Sequence, residues 1–148
     1  MKVFTLEPPL QGRVAMSDKF LPSLSKFTAV GAVGFLSDAT VLILLTSCAG
    51  LSVFLSRGVS FSLAVLVTWI LNRVWTFPER RSTHAPRQLC RYAVVQLCGG
   101  AIHIVAYAAV IAVTPQHFLA PLFGLTVGSA AGLVVNFCGS RLFAFRHV

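Results

Sequence analysis

Two arginines, each preceded by a polar residue, close long apolar runs in this chain: "NRVWTF" (72–77) and "SRLFAF" (140–145). Both segments have the same order of polar residue, arginine and spaced aromatics, and Asn136 lies one helical turn before the second. A guanidinium grips a phosphate through two parallel hydrogen bonds, and a neighbouring amide or hydroxyl can add another. Asn72, Arg73, Asn136, Ser140 and Arg141 are therefore candidates to hold a phosphate, with the arginine stems snorkelling to the phosphate layer of a bilayer. The plainer reading is an anchor made of arginine, Trp and Phe at a membrane interface. That reading does not by itself require a polar residue before each arginine.

Asp38 and His103 form a second constellation. Each follows a leading base, Lys26 or Arg91, by 12 residues, which is about 18 Å along a helix and near the middle of a bilayer. A carboxylate at that depth is costly unless it faces protein, pairs or binds a proton. The two are candidates to meet, bind a polar ligand or relay a proton. Alternatively they form a structural hydrogen bond between helices that Gly34 and Gly99-Gly100 allow to approach closely.

Other chemistries find little support. Cys48, Cys90, Cys98 and Cys138 show no CxxC pair or metal-ligand spacing, so they are expected to be buried neutral thiols, and no metal or cofactor is expected. The acids are Glu7, Asp18, Asp38 and Glu79, and none forms a pair in sequence. A glycosyltransferase would need acids for a general base or a metal-bound sugar nucleotide, so the chain is not expected to be an enzyme. It contains no phosphate-cradling glycine loop for ATP hydrolysis.

The elements that must position these residues follow from composition. Of 148 residues 56% are hydrophobic and 11% charged, with a mean hydropathy of +0.81, beyond the roughly 45–50% apolar usage of soluble domains. Continuously apolar runs cover residues 27–47, 56–77, 92–113 and 118–141, with the neutral break "TPQH" before the last. Each is long enough for a transmembrane helix, and none alternates with the period of two expected of a barrel strand. The expected fold is an all-α integral membrane bundle of four helices.

Charge orients it. Lys2, Arg13, Lys19 and Lys26 precede or open the first span, Arg80, Arg81, Arg87 and Arg91 lie in or border the middle connection, and Arg73, Arg141 and Arg146 cluster at span ends. Arg57 alone falls on the other side. The positive-inside rule then places both termini and the middle loop in the cytoplasm. The net charge of +8 thus reports topology and attraction to membrane lipids, with no nucleic-acid partner. Residues 1–23, with Pro8-Pro9 and no apolar signal core, read as a cytoplasmic tail. Met16 offers a second candidate translation start, and Ser17-Asp18 could lead a short interfacial helix.

The chain also repeats itself. "KFTAVGAVGFLSD" (26–38) aligns with "RYAVVQLCGGAIH" (91–103), matching Val30 with Val95, Gly34 with Gly99 and Asp38 with His103. Thr68 aligns with Asn136, Asn72 with Ser140, Arg73 with Arg141, Trp75 with Phe143, and Phe77 with Phe145. Residues 24–148 thus read as two copies of a helical hairpin, 24–78 and 89–148. The copies enter from the same side, so the repeat is parallel, and a site is expected between the halves.

From about residue 24 to 145, this order resembles the GtrA-like family of small four-helix membrane proteins. It combines "KFTAVGAVGFLSDATVLILL", a second helix ending "NRVWTF" and a weaker copy ending "NFCGSRLFAF". The family pattern of Asn-Phe followed by Asn-Arg is split, since Thr68-Trp69 precedes Asn72-Arg73 and Asn136-Phe137 precedes Ser140-Arg141. The resemblance implies a bacterial inner-membrane protein that translocates or presents polyprenyl-phosphate-linked sugars for surface polysaccharide synthesis. On this view the Asn, Ser and Arg positions hold the lipid phosphate, Asp38 and His103 contact sugar hydroxyls or relay a proton, and Arg57 receives the phosphate afterwards or marks the interface. The small bundle makes a homodimer or a glycosyltransferase partner an expectation. Two alternatives stay open, a non-transporting scaffold for a glycosyltransferase and a small proton-coupled exporter.

Overall fold

The computed structural model describes residues 20–114 and 118–146. Four helices follow one another: α1 (Phe20–Ile43), α2 (Val53–Leu71), α3 (Ala85–Val113) and α4 (Ala120–Gly139). A π-helical turn extends α1, α2 and α4 at their C-terminal ends, and a short 3₁₀ turn (Pro78–Arg80) lies between α2 and α3. No strand occurs among the described residues. With their widened turns the helices run 29, 24, 29 and 25 residues, each long and apolar enough to cross a bilayer. The chain is a multi-pass membrane protein, and most large apolar side chains face outward, where lipid replaces water.

The helix ends have local causes. Gly50 adopts φ +64° in the turn after α1, a left-handed conformation that favours glycine. Ser52 caps α2, its side chain accepting from the Leu55 N–H at 3.4 Å. Pro86 and Pro121 sit in the first turns of α3 and α4, where a missing N–H costs no helical hydrogen bond.

Within each hairpin the helices pack through small residues spaced four apart. On α2 and its extension Ser56, Ser60, Ala64, Thr68, Asn72 and Thr76 are all buried. On α4 the equivalent ridge is Gly124, Gly128, Gly132, Asn136, Ser140 and Ala144. A ridge at every fourth position seats in the facing helix's groove, and small side chains let the backbones come close. The approach is tight: a Cβ on Gly128 would lie 2.8 Å from the His103 carbonyl oxygen, and one on Gly34 would lie 2.3 Å from Thr68 Cγ2.

All four helices meet at the end that carries the arginine motifs. Phe27, Phe77, Tyr92, Phe137 and Phe145 form a buried aromatic cluster there. Phe27 meets Phe77 at 6.3 Å, Tyr92 meets Phe145 at 5.9 Å, and Phe77 stacks on Phe145 at 5.1 Å. The two widened turns aim these rings. The Phe77 N–H reaches the Asn72 carbonyl and the Phe145 N–H reaches the Ser140 carbonyl, both at 2.7 Å, and each five-residue step adds one residue to the turn.

Several expectations are corrected. Helix α1 already runs at Phe20, and α3 begins at Ala85, so half of the expected middle loop is helical. Hydropathy marks where the chain meets hydrocarbon, whereas backbone hydrogen bonding continues beyond it. All four cysteines are free and exposed rather than buried, because the packed faces are occupied by glycine, serine and alanine. Residues 1–19 of the tail, with the second candidate start at Met16 and the interfacial helix at Ser17-Asp18, fall outside the described residues.

Candidate functional site

A cleft of about 500 Å³ opens between the two hairpins. Its polar lining comes from Asp38 on α1, Arg57 and Thr68 on α2, Gln96 and His103 on α3, and Asn136 on α4. The glycines keep it open, since Gly31, Gly34, Gly99, Gly100 and Gly132 line it as well. Three polar atoms on its walls, Asp38 Oδ1, Gln96 Oε1 and Asn136 Oδ1, are buried with no hydrogen-bond partner among the described residues. Buried acceptors in an apolar medium are costly when unmade. Hydroxyl or ammonium donors would complement them.

Asp38 and His103 both reach this cleft, but not as a pair. Asp38 Oδ2 accepts from Arg57 Nη1, with the carboxylate side chain 15% exposed and the guanidinium 55% exposed. Arg57 therefore extends from the opposite end of α2 into the span to neutralise the acid. His103 packs against the glycine ridge, its Nδ1 lying 3.2 Å from where a Cβ on Gly128 would stand.

Towards the arginine end, the cleft floor becomes a hydrogen-bonded hub. Asn72, 1% exposed, donates from Nδ2 to the Tyr92 hydroxyl at 2.9 Å, and Gln96 donates to the same oxygen at 2.7 Å. Asn72 Oδ1 and Ser140 Oγ remain unpartnered among the described residues. Asn136 presses on Gly99, where a Cβ would lie 2.0 Å from its Oδ1, just as Thr68 presses on Gly34.

The two motif arginines are held differently. Arg73 donates from Nη1 to Gln88 Oε1 and from Nη2 to the Ser82 carbonyl at 2.9 Å, and its guanidinium lies 5.4 Å from the Trp69 ring centre. It braces the middle loop. Arg141 lies over the Phe20 ring, and its Nη1 is buried without a partner among the described residues. The leading bases do match across the hairpins, with Lys26 over Trp75 at 5.9 Å and Arg91 over Phe143 at 5.6 Å.

Above this floor, the middle loop folds over a second cavity of about 410 Å³, lined by Arg80, Arg81, Arg87, Arg91 and Arg146 with Glu79. Arg80 donates to the Arg141 carbonyl at 2.8 Å, and Gln88 donates to the Arg80 carbonyl at 3.0 Å. Burial and the Arg141 charge lower the Arg80 guanidinium from its usual value, while Glu79 raises it. Sequence reasoning passed over Gln88, Tyr92 and Gln96 as site residues. Their signal was present, because these polar groups recur every four residues on an otherwise apolar helix, and that spacing aligns them on one face.

Comparisons with known proteins cover nearly the same stretch. Residues 26–145 match the family described as GtrA/DPMS, transmembrane domain. The chain is also similar to a Bacillus subtilis (strain 168) protein described as "Uncharacterized membrane protein YngA". The two are 22% identical over 135 residues, covering 91% of this chain and 87% of the relative.

Proposed function

This chain belongs to the GtrA/DPMS transmembrane-domain family, and from that premise we propose that it translocates or presents polyprenyl-phosphate-linked sugars across a bacterial inner membrane for surface glycan assembly. Membership associates the chain with lipid-linked sugar handling, and the carrying observation for the finer reading is the cleft between the hairpins. A sugar crossing hydrocarbon loses its hydration and needs replacement partners. Asp38, Gln96 and Asn136 offer acceptors for its hydroxyls in the gap between the hairpins, and a prenyl tail would stay in lipid while the head group passes. On this reading the chain binds and passes its ligand rather than transforming it, with the described acids Asp38 and Glu79 held beside Arg57 and Arg80 as charge partners.

Reconstitution tests it. The protein in proteoliposomes should carry a polyprenyl-phosphate hexose between leaflets, and Gln96→Ala with Asn136→Ala should lower that rate by about tenfold while the protein stays monodisperse. Transfer no faster than in empty vesicles, with a working control flippase, would reject transport and leave presentation to a glycosyltransferase as the role.

A further inference from the structure

The cavity under the middle loop is separate from the cleft and concentrates charge. Five guanidiniums face it against one carboxylate, Glu79. Arg80 and Arg81 are placed by backbone carbonyls, Arg80 on Arg141 and Arg81 on Arg73 and Val74. Arg87 and Arg146 are exposed and have neither an ion pair nor a hydrogen bond among the described residues. Within that set Glu79 is the counter-charge, 4.0 Å from Arg80.

We propose that this loop cavity is an anion site that takes a phosphate or diphosphate group at the membrane surface. Its volume of about 410 Å³ falls among those of small-molecule sites, roughly 300–1,000 Å³. Its chemistry is that of guanidinium forks, which match phosphate oxygens in pairs. No Phe, Tyr or Trp lines it, and its five guanidiniums outnumber its one ring, His84, so the anion itself is the dominant recognised feature. The rim is built rather than accidental: Gln88, 2% exposed, ties the Arg73 guanidinium to the Arg80 carbonyl and fixes the loop above the cavity. The assignment also adds a phosphate station beside Arg73, whose Nη1 and Nη2 each donate to the loop side, to Gln88 and Ser82. It extends the transport reading, yet anion binding is measured without any translocation, so the two fail separately.

The test uses the full chain in nanodiscs of neutral lipid, titrated with inorganic pyrophosphate by calorimetry. Saturable binding that weakens with added salt is expected, with a loss of about tenfold or more in affinity for Arg87→Gln/Arg146→Gln. Gly58→Ala, at the other end of the bundle and with open space around it, should bind like the parent. Arg87→Lys/Arg146→Lys keeps the charge and loses the fork, and should fall between, which answers the case in which the glutamine pair does not fold. A second arm replaces part of the neutral lipid with phosphatidic acid and scores arginine-dependent retention of that lipid on purification. Pyrophosphate binding identifies a soluble source and lipid retention a headgroup source; either supports the site. Binding of neither, or binding that both Arg87/Arg146 pairs leave unchanged, overturns it.

Discussion

A carboxylate surrounded by hydrocarbon keeps its charge only when a cation or a set of donors holds it. For Asp38 that cation is Arg57. Truncating one partner should therefore harm the fold more than truncating both. In nanodiscs Arg57→Gln is expected to cost about 1–3 kcal/mol, less than a fully buried pair because the guanidinium is half exposed. The Asp38→Asn/Arg57→Gln double variant should recover most of that loss in thermal unfolding. If the double variant melts below Arg57→Gln, the pair does not stabilise through charge neutralisation. At this scale the sequence was a partial guide. Depth along a helix brought Asp38 and His103 to one cleft, because rise per residue is fixed. It left the ion pair unread, because Arg57 reaches Asp38 from the neighbouring helix. Arg73 was expected to face a phosphate. In the structure it also braces the loop through Gln88 and Ser82, partners whose proximity depends on how residues 78–84 turn.

Between helices, the deciding feature is the ridge of small residues at every fourth position. Gly128 faces backbone, the His103 carbonyl, at 2.8 Å from an added Cβ, whereas Gly58 has open space around it. Gly128→Ala is expected to destabilise the α3–α4 hairpin by about 1–3 kcal/mol, since backbone cannot step aside as a side chain can. Gly58→Ala should be neutral or gain up to about 1 kcal/mol from helix propensity. Equal melting temperatures for the two variants would show that the close approach is not maintained in the membrane. Such a ridge is legible in the letters, since its spacing needs only 3.6 residues per turn. The widened turns were not, because a five-residue hydrogen-bond step leaves no compositional mark at 72–76 or 140–144.

Across the whole molecule, charge asymmetry makes a directional prediction. The middle loop and both termini should lie on the cytoplasmic face, with the α1–α2 turn outside. Cys48, exposed at the end of α1, is a natural reporter. In a background with the other three cysteines replaced by serine, an impermeant maleimide should label Cys48 in intact spheroplasts and Ser82→Cys only after lysis. The reverse pattern would invert the topology. The four-helix architecture was visible from apolar run lengths, and Phe77 and Phe145, which the internal repeat aligns, stack on each other. Sequence alone left the loop cavity unformed, because its arginines come from the middle connection, α3 and the chain's last described residue.

The aromatic cluster gathers all four helices at one end, while the cleft separates the hairpins along their length. That arrangement has the geometry of a pair of tongs. A helix of 24 residues, such as Val53–Thr76, is a lever about 36 Å long. Rotating one hairpin by about 10° around the ring stack barely moves the rings, yet shifts the far tip by about 6 Å, close to one helical turn. The lever tip is the Arg57 end, and because Asp38 and Arg57 sit on the two helices of one hairpin, their ion pair would ride with the swinging arm and hold its helices together while the cleft widens.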